Sequence, residues 1–242
     1  MNILALETSA GPASCAVTRD GQVLASAYIN TPLTHSQTLL PMVEDMLKNA
    51  SLSLDDMDLL AVAAGPGSFT GVRIGVAALK GLAFARNIPC AAVSTLAAIA
   101  RGAEGGGFDG VICAAMDARC RQVYTACFEA TGEGLRRLTP DEAISTDELK
   151  NRLISYKKPI FLLGDGAQLC YTEFRNEPGL ENLYLAPPAR RYQQAAGVAA
   201  EAAEMAAAGA TVSAEQLQPI YLRLPQAERE LRARMAAKND PA

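Results

Sequence analysis

One order of elements runs twice along this chain, on either side of a glycine-rich break, "GAEGGGFDG", Gly102 to Gly110. Before it, "ILALETS" and "SCAVTRDGQVLASAYI" read as three strands, with Asp20-Gly21 supplying the positive φ angles of a tight hairpin turn. "SQTLLPMVEDMLKNA" has helical periodicity, "LLAVAAG" is a short buried-strand run, and "GVRIGVAALKGLAFARN" is again helical. "PCAAVS" and "TLAAIARGA" add a strand and a helix. After the break, "GVICAAMDA", "QVYTACFEA" and "GLRRLTP" read as three more strands. "TDELKNRLISY" follows as a helix with Thr146 as its expected N-cap, then the strand "PIFLLGDGA" and the alanine-rich helix "AAGVAAEAAEMAAAG", ended by Gly209. Each half thus reads βββαβα. The boundaries expected are a first lobe over 1–104, completed by the helix near 194–222, a smaller second lobe over 105–193, and a charged tail over 224–242.

At 242 residues the chain can bury a real core, and 22 Lys plus Arg against 26 Asp plus Glu leave no basic field for gripping nucleic acid. If it works near RNA, another protein holds the RNA. The start "MNILALETS" has no basic or long apolar leader, and no apolar run is long enough to span a membrane, which places the chain in the cytoplasm as an expectation. Six cysteines without a CxxC pair read as reduced, buried small hydrophobes.

The single histidine, His35, excludes any site that needs two imidazoles, zinc proteases included. Carboxylates at strand ends remain. Glu7 in "LETSAG" and Asp117 in "MDARC" end the first strands of the two half-patterns, where a magnesium nucleotide could be gripped between lobes. For Asp117 the simpler reading is a turn-forming acid bonded to its own backbone. "GPGSFTG" leads a strand into a helix N-terminus but has neither P-loop nor dinucleotide spacing, so it reads first as a tight corner. On the helix after it, Gly71, Gly75 and Ala78 form a small-residue face and Val72, Val76, Leu79 and Leu82 an apolar one. Leu39, Val43 and Met46 on the preceding helix have Leu40, Met42 and Leu47 beside them. Two helices this apolar suggest a protein interface, or burial between the sheet and the second lobe.

At "LALETSAG", "HSQTLLPMVEDML", "AVAAGPGSFTGVRIGVAALKGLA" and "MDARCRQVY", extended by "LLGDGA" and "PIYLR", the chain closely resembles the bacterial TsaB family, also called YeaZ. The resemblance implies an α/β actin-like ATPase (ASKHA) fold, two RNase H-like βββαβα lobes with the second reduced. It implies a non-catalytic accessory subunit of the machinery that moves threonylcarbamoyl from threonylcarbamoyl-AMP to N6 of the adenosine beside the anticodon of tRNAs reading ANN codons. The implied partners are the catalytic paralogue TsaD and the TsaE ATPase, with a homodimer when alone and tRNA met only indirectly. Where TsaD carries N-H-x-x-x-H for its metal, this chain reads "VSTLAAIA", with Thr95 and Ile99 at the histidine positions, so no metal is expected.

The family pairs through first-lobe helices, so the interface expected here comprises His35, Leu39, Met42, Val43, Met46, Val72, Arg73, Val76, Leu79 and Lys80. Val76→Glu is then expected to abolish pairing and leave the fold intact. The residues to watch for a nucleotide, one shared at the partner interface, are Glu7, Thr8, Ser9 and Gly67. An ASKHA-fold small-molecule kinase or ATPase is the alternative, built on Glu7 and the cleft.

Overall fold

The computed structural model describes residues 1–84, 86–131 and 134–223. The charged tail expected over 224–242 lies outside them. In the first lobe, strands β1 (Asn2–Glu7), β2 (Ala13–Arg19), β3 (Gln22–Ile29), β4 (Leu59–Gly65) and β5 (Cys90–Ser94) form one sheet in the order β3-β2-β1-β4-β5. The first three strands are antiparallel neighbours, whereas β4 and β5 add in parallel. The expected hairpin is present, with Asp20 and Gly21 both at positive φ.

The second sheet repeats this plan. It contains β6 (Gly110–Asp117), β7 (Gln122–Thr131), β8 (Gly134–Arg137), β9 (Glu142–Ser145), β10 (Ile160–Leu163) and β11 (Leu183–Leu185). Its order is β11-β10-β6-β7-β8, with β9 pairing on β7. β6 and β7 are antiparallel, as are β7 and β8, and β10 and β11 add in parallel. Strand for strand, β6 stands for β1 and β10 for β4, which makes the actin-like ATPase fold of two RNase H-like lobes.

Period-two alternation decides which core each side chain joins, because successive residues of a strand point to opposite faces. Leu4 and Leu6 of β1 and Leu60 and Val62 of β4 face helices α1 (His35–Asn49) and α2 (Phe69–Phe84). Ile3, Ala5, Leu59 and Ala61 face the other way, onto α7 (Ala195–Ala207). Both faces of the first sheet are therefore covered, and α7 crosses back to it from the far end of the sequence. Helix α3 (Thr95–Arg101) is buried at every position from Thr95 to Ala100. Its Leu96, Ala97, Ile99 and Ala100 pack on Ile112, Ala114 and Met116 of the second sheet, while Ala98 packs with α7.

The second lobe is covered on its outer face by α4 (Thr146–Tyr156) and α5 (Ala167–Phe174), followed by the short α6 (Pro188–Arg191). Here the structure corrects the sequence reading at three points. Ser145, not Thr146, caps α4: its hydroxyl accepts the Glu148 N–H at 3.1 Å, while the Thr146 hydroxyl is buried with no partner among the described residues. The helix that answers α2 is α5, not the alanine-rich α7, whose unbroken small-residue surface instead fits flat on the first sheet. β9 and β11, strands of four and three residues, are additions too short for alternation to reveal.

Candidate functional site

The two lobes meet at a cleft of 630 Å³ formed where β1 and β6 end. Glu7, the last residue of β1, is 1% exposed. One carboxylate oxygen accepts the Ser9 N–H at 2.5 Å, and the other has no partner among the described residues. Burial pushes the Glu7 pKa up to about 7, against the lowering effect of Ser9, with the Asp165 charge adding to the rise. Ser9 lines the cleft and its buried hydroxyl is also without a partner among the described residues. Thr8 between them is committed elsewhere, its hydroxyl donating to Gly71 O at 2.8 Å.

"GPGSFTG" does turn the corner, and it turns it tightly against this segment. Ser68 N–H donates to Ser9 O at 2.7 Å, and a Cβ on Gly67 would stand 2.4 Å from that same oxygen. Any side chain at Gly67 would break the approach. Glu7, Thr8, Ser9 and Gly67 are thus neighbours, and of their side chains Glu7 and Ser9 carry a buried oxygen without a partner among the described residues.

On the second lobe Asp117 is exposed and accepts the Arg119 N–H at 2.7 Å, the local turn bond. The carboxylate that answers Glu7 is Asp165, in the turn after β10, a position that the pattern of "LLGDGA" alone does not single out. Asp165 is half-buried, takes a 2.8 Å hydrogen bond from Gln193 Nε2, and has its pKa raised, chiefly by burial and further by Asp117. The available signal was positional: Gly164-Asp165-Gly166 follows β10 as Gly65-Pro66-Gly67 ends and follows β4. Three carboxylates therefore gather at or just behind the cleft. Among the described residues, no group of three His, Cys, Asp or Glu is placed to hold a metal ion.

A strap crosses the cleft mouth. Ile220 N–H donates to Ala64 O at 2.6 Å in the first lobe, and Arg223 donates to Ala118 O at 3.2 Å in the second. Between them Tyr221 stacks on Phe69 with ring centres 5.1 Å apart and accepts a 2.7 Å bond from Arg73, whose guanidinium also lies 3.8 Å from the Phe69 ring centre. The motif "PIYLR" thus ties the lobes together.

The expected interface residues fare unevenly. Leu39, Met42, Val43, Met46, Val72, Val76 and Leu79 are all buried in the core against the first sheet and offer nothing to a partner. The physical reason is that α1 and α2 are the cover of that sheet face, so their main apolar stripes must point inward. The small-residue face of α2 competes for no other surface, because Gly71 and Gly75 rest on Thr8, where a Cβ would lie 2.1 and 2.4 Å from its oxygens. Val76→Glu would therefore attack the fold, not the pairing. His35 donates from Nε2 to Ala10 O at 2.9 Å, and Lys80 donates to Glu215 O at 3.2 Å, so both bond within the chain as Arg73 does. The large apolar residues exposed on the described parts of α1 and α2 are Leu40, 47% exposed, and Phe84, 69% exposed.

A family model described as TsaD: tRNA N6-adenosine threonylcarbamoyltransferase matches residues 30–231. The tRNA threonylcarbamoyladenosine biosynthesis protein TsaB of Escherichia coli is 35% identical, across 92% of this chain and 95% of its own length. The protein of the same name from Bacillus subtilis is 32% identical across 94% and 96%. The solved structure of YeaZ from Pseudomonas aeruginosa superposes with a TM-score of 0.76 at 31% identity, covering 91% of this chain and 99% of that one.

Proposed function

The chain belongs to the TsaB family of tRNA threonylcarbamoyladenosine biosynthesis proteins, and from that premise we propose that it serves this pathway as a non-catalytic scaffold subunit. Its task is to pair with a TsaD-type transferase and make that enzyme competent to pass threonylcarbamoyl to tRNA. One observation carries the non-catalytic part. Thr95 and Ile99, at the positions where the resemblance puts the transferase's metal histidines, are 0% and 4% exposed inside packed α3. Ile99 lies in the apolar cluster with Ile112, Met116 and Phe128, a place from which no ligand can be offered.

The tRNA is met through the partner, since the chain carries a net charge of −4 and cannot neutralise many phosphates. The pairing surface is the outer side of α1 and α2, where Leu40 and Phe84 stand exposed. A nucleotide shared with the partner fits the cleft in one respect: Ser9 and the turn Pro66 to Thr70 at the start of α2 line it. With Asp165 and Asp117 beside it, a phosphate would need a divalent cation to offset their charge.

The second reading, a small-molecule kinase or ATPase, draws on the spare oxygen of Glu7. Glu7 lies behind Ser9 instead of lining the cleft, a poor position for touching a substrate. The test is reconstitution: purified TsaD-type transferase, TsaE ATPase, threonylcarbamoyl-AMP and unmodified tRNA, with and without this chain. Transfer that requires the chain supports the scaffold reading. Transfer indifferent to it, together with magnesium-dependent ATP turnover by the chain alone, supports the kinase reading.

A further inference from the structure

The core of the second lobe holds two thiols that face each other across neighbouring strands. In the β6–β7 register Cys113 is directly opposite Cys127, so both side chains leave the sheet on one face. Directly opposed residues of an antiparallel pair have Cα atoms about 4.5–5.5 Å apart, within the roughly 4.4–6.8 Å that a disulfide spans. The two thiols are not equivalent. Cys113 has the Thr125 hydroxyl 3.6 Å from its sulfur, and the neighbouring Cys127 together with burial holds it protonated. Cys127 has Cys113, Tyr156 and the Arg152 guanidinium around it, and these hold its pKa down against the effect of burial. Arg152 is fixed in place by a two-pronged pair to Glu142, both contacts at 3.0 Å. Arg152, Glu142 and Tyr156 are half-buried, whereas both sulfurs belong to residues that are 0% exposed.

We propose that Cys127 and Cys113 form a redox modification site, an attacking and a resolving thiol that a small hydroperoxide converts to a disulfide between β6 and β7. The Cys127 sulfur attacks the peroxide, the O–O bond breaks, and the leaving hydroxide takes the proton that Cys127 gave up. Sulfur is oxidised to a sulfenic acid while hydrogen peroxide is reduced to water. The Cys113 sulfur then attacks Cys127, the S–S bond forms as the S–O bond breaks, and the second hydroxide leaves with the Cys113 proton as water. Two thiols and one peroxide yield one disulfide and two waters, and a dithiol reverses the exchange. The bond would close midway along the hairpin whose far end, with Asp117, Arg119 and Tyr124, forms one wall of the cleft.

The experiment uses the full chain in a Cys120→Ser background, because Cys120 at the hairpin turn is the one exposed thiol among the described cysteines. Hydrogen peroxide is added under native conditions, free thiols are alkylated, and the products are read by intact mass and peptide mapping. Expected are a mass loss equal to two hydrogens, a linked peptide joining Cys113 to Cys127, and full reversal by dithiothreitol. With Cys113→Ser added, dimedone should label Cys127, the stalled sulfenic acid. If that variant does not fold, the linked peptide from the Cys120→Ser protein decides alone. Alkylation of both thiols only after denaturation, or a bridge from Cys113 to Cys170 instead, overturns the proposal.

Discussion

The two lobes share a strand order but not the way their first strands end. In the first lobe the chain leaves β1 through a buried acid, Glu7, and the following turn is clamped under α2 by Thr8 and Ser68. In the second it leaves β6 through an exposed acid, Asp117, closed on its own backbone, and the buried role passes to Asp165 after β10. Their covering helices differ as well, 15 and 16 residues in α1 and α2 against 11 and 8 in α4 and α5. Duplication has kept what backbone hydrogen bonding enforces and released what side chains decide. The first lobe keeps long helices over one face of its sheet and the second has short ones, while both contribute walls to the cleft.

The largest effect should separate the inner and outer faces of α2. Val76→Glu buries a charge in the core of the first lobe and should cost about 4 kcal/mol or more in urea unfolding. Phe84→Glu on the outer side should change stability by about 0.5 kcal/mol or less, and weaken capture by the transferase. A stable Val76→Glu chain would reverse the assignment of faces.

Next in size is the pH dependence carried by Glu7. Its folded pKa, about 7, lies above the ordinary 4.5, so the folded chain holds a proton there that the unfolded chain has lost. Its contribution to stability is therefore fully present below about pH 4.5, is lost between 4.5 and 7, and is absent above. The drop amounts to an order of magnitude of 3 kcal/mol, roughly 1.4 kcal/mol per pKa unit. In Glu7→Gln this contribution to the slope should vanish, which denaturant melts of the two proteins at matched pH would show. Identical slopes would mean that Glu7 is solvated.

A smaller effect distinguishes the two hydroxyls at the start of α4. Ser145→Ala removes the cap and should cost about 1 kcal/mol. Thr146→Val removes a buried hydroxyl without a partner among the described residues, and should be neutral or slightly stabilising in thermal melts.

What was legible in the sequence was what neighbours along the chain decide. The apolar run "ILALETS" announced a strand, and Asp20-Gly21 announced the turn between the two strands that follow it. The spacing of Val72, Val76 and Leu79 told which residues share a face of α2. It could not tell whether that face met the sheet or a partner, because periodicity is blind to what lies opposite. Asp165 stayed hidden for a similar reason: its importance comes from Gln193 and Glu7, brought to it only by folding. Helix α5 presents just Ala167, Cys170 and Phe174 to the core, too few positions for a period to stand out.

The most direct test of the scaffold account is threonylcarbamoyl transfer to unmodified tRNA by the transferase and TsaE, supplied with either the wild-type chain or Glu7→Gln. The account predicts transfer that depends on the chain and is equal with both forms, since Glu7 acts only within the fold. Loss of transfer with a Glu7→Gln chain that still folds and still binds the transferase would contradict it, and would put this carboxylate back into the chemistry.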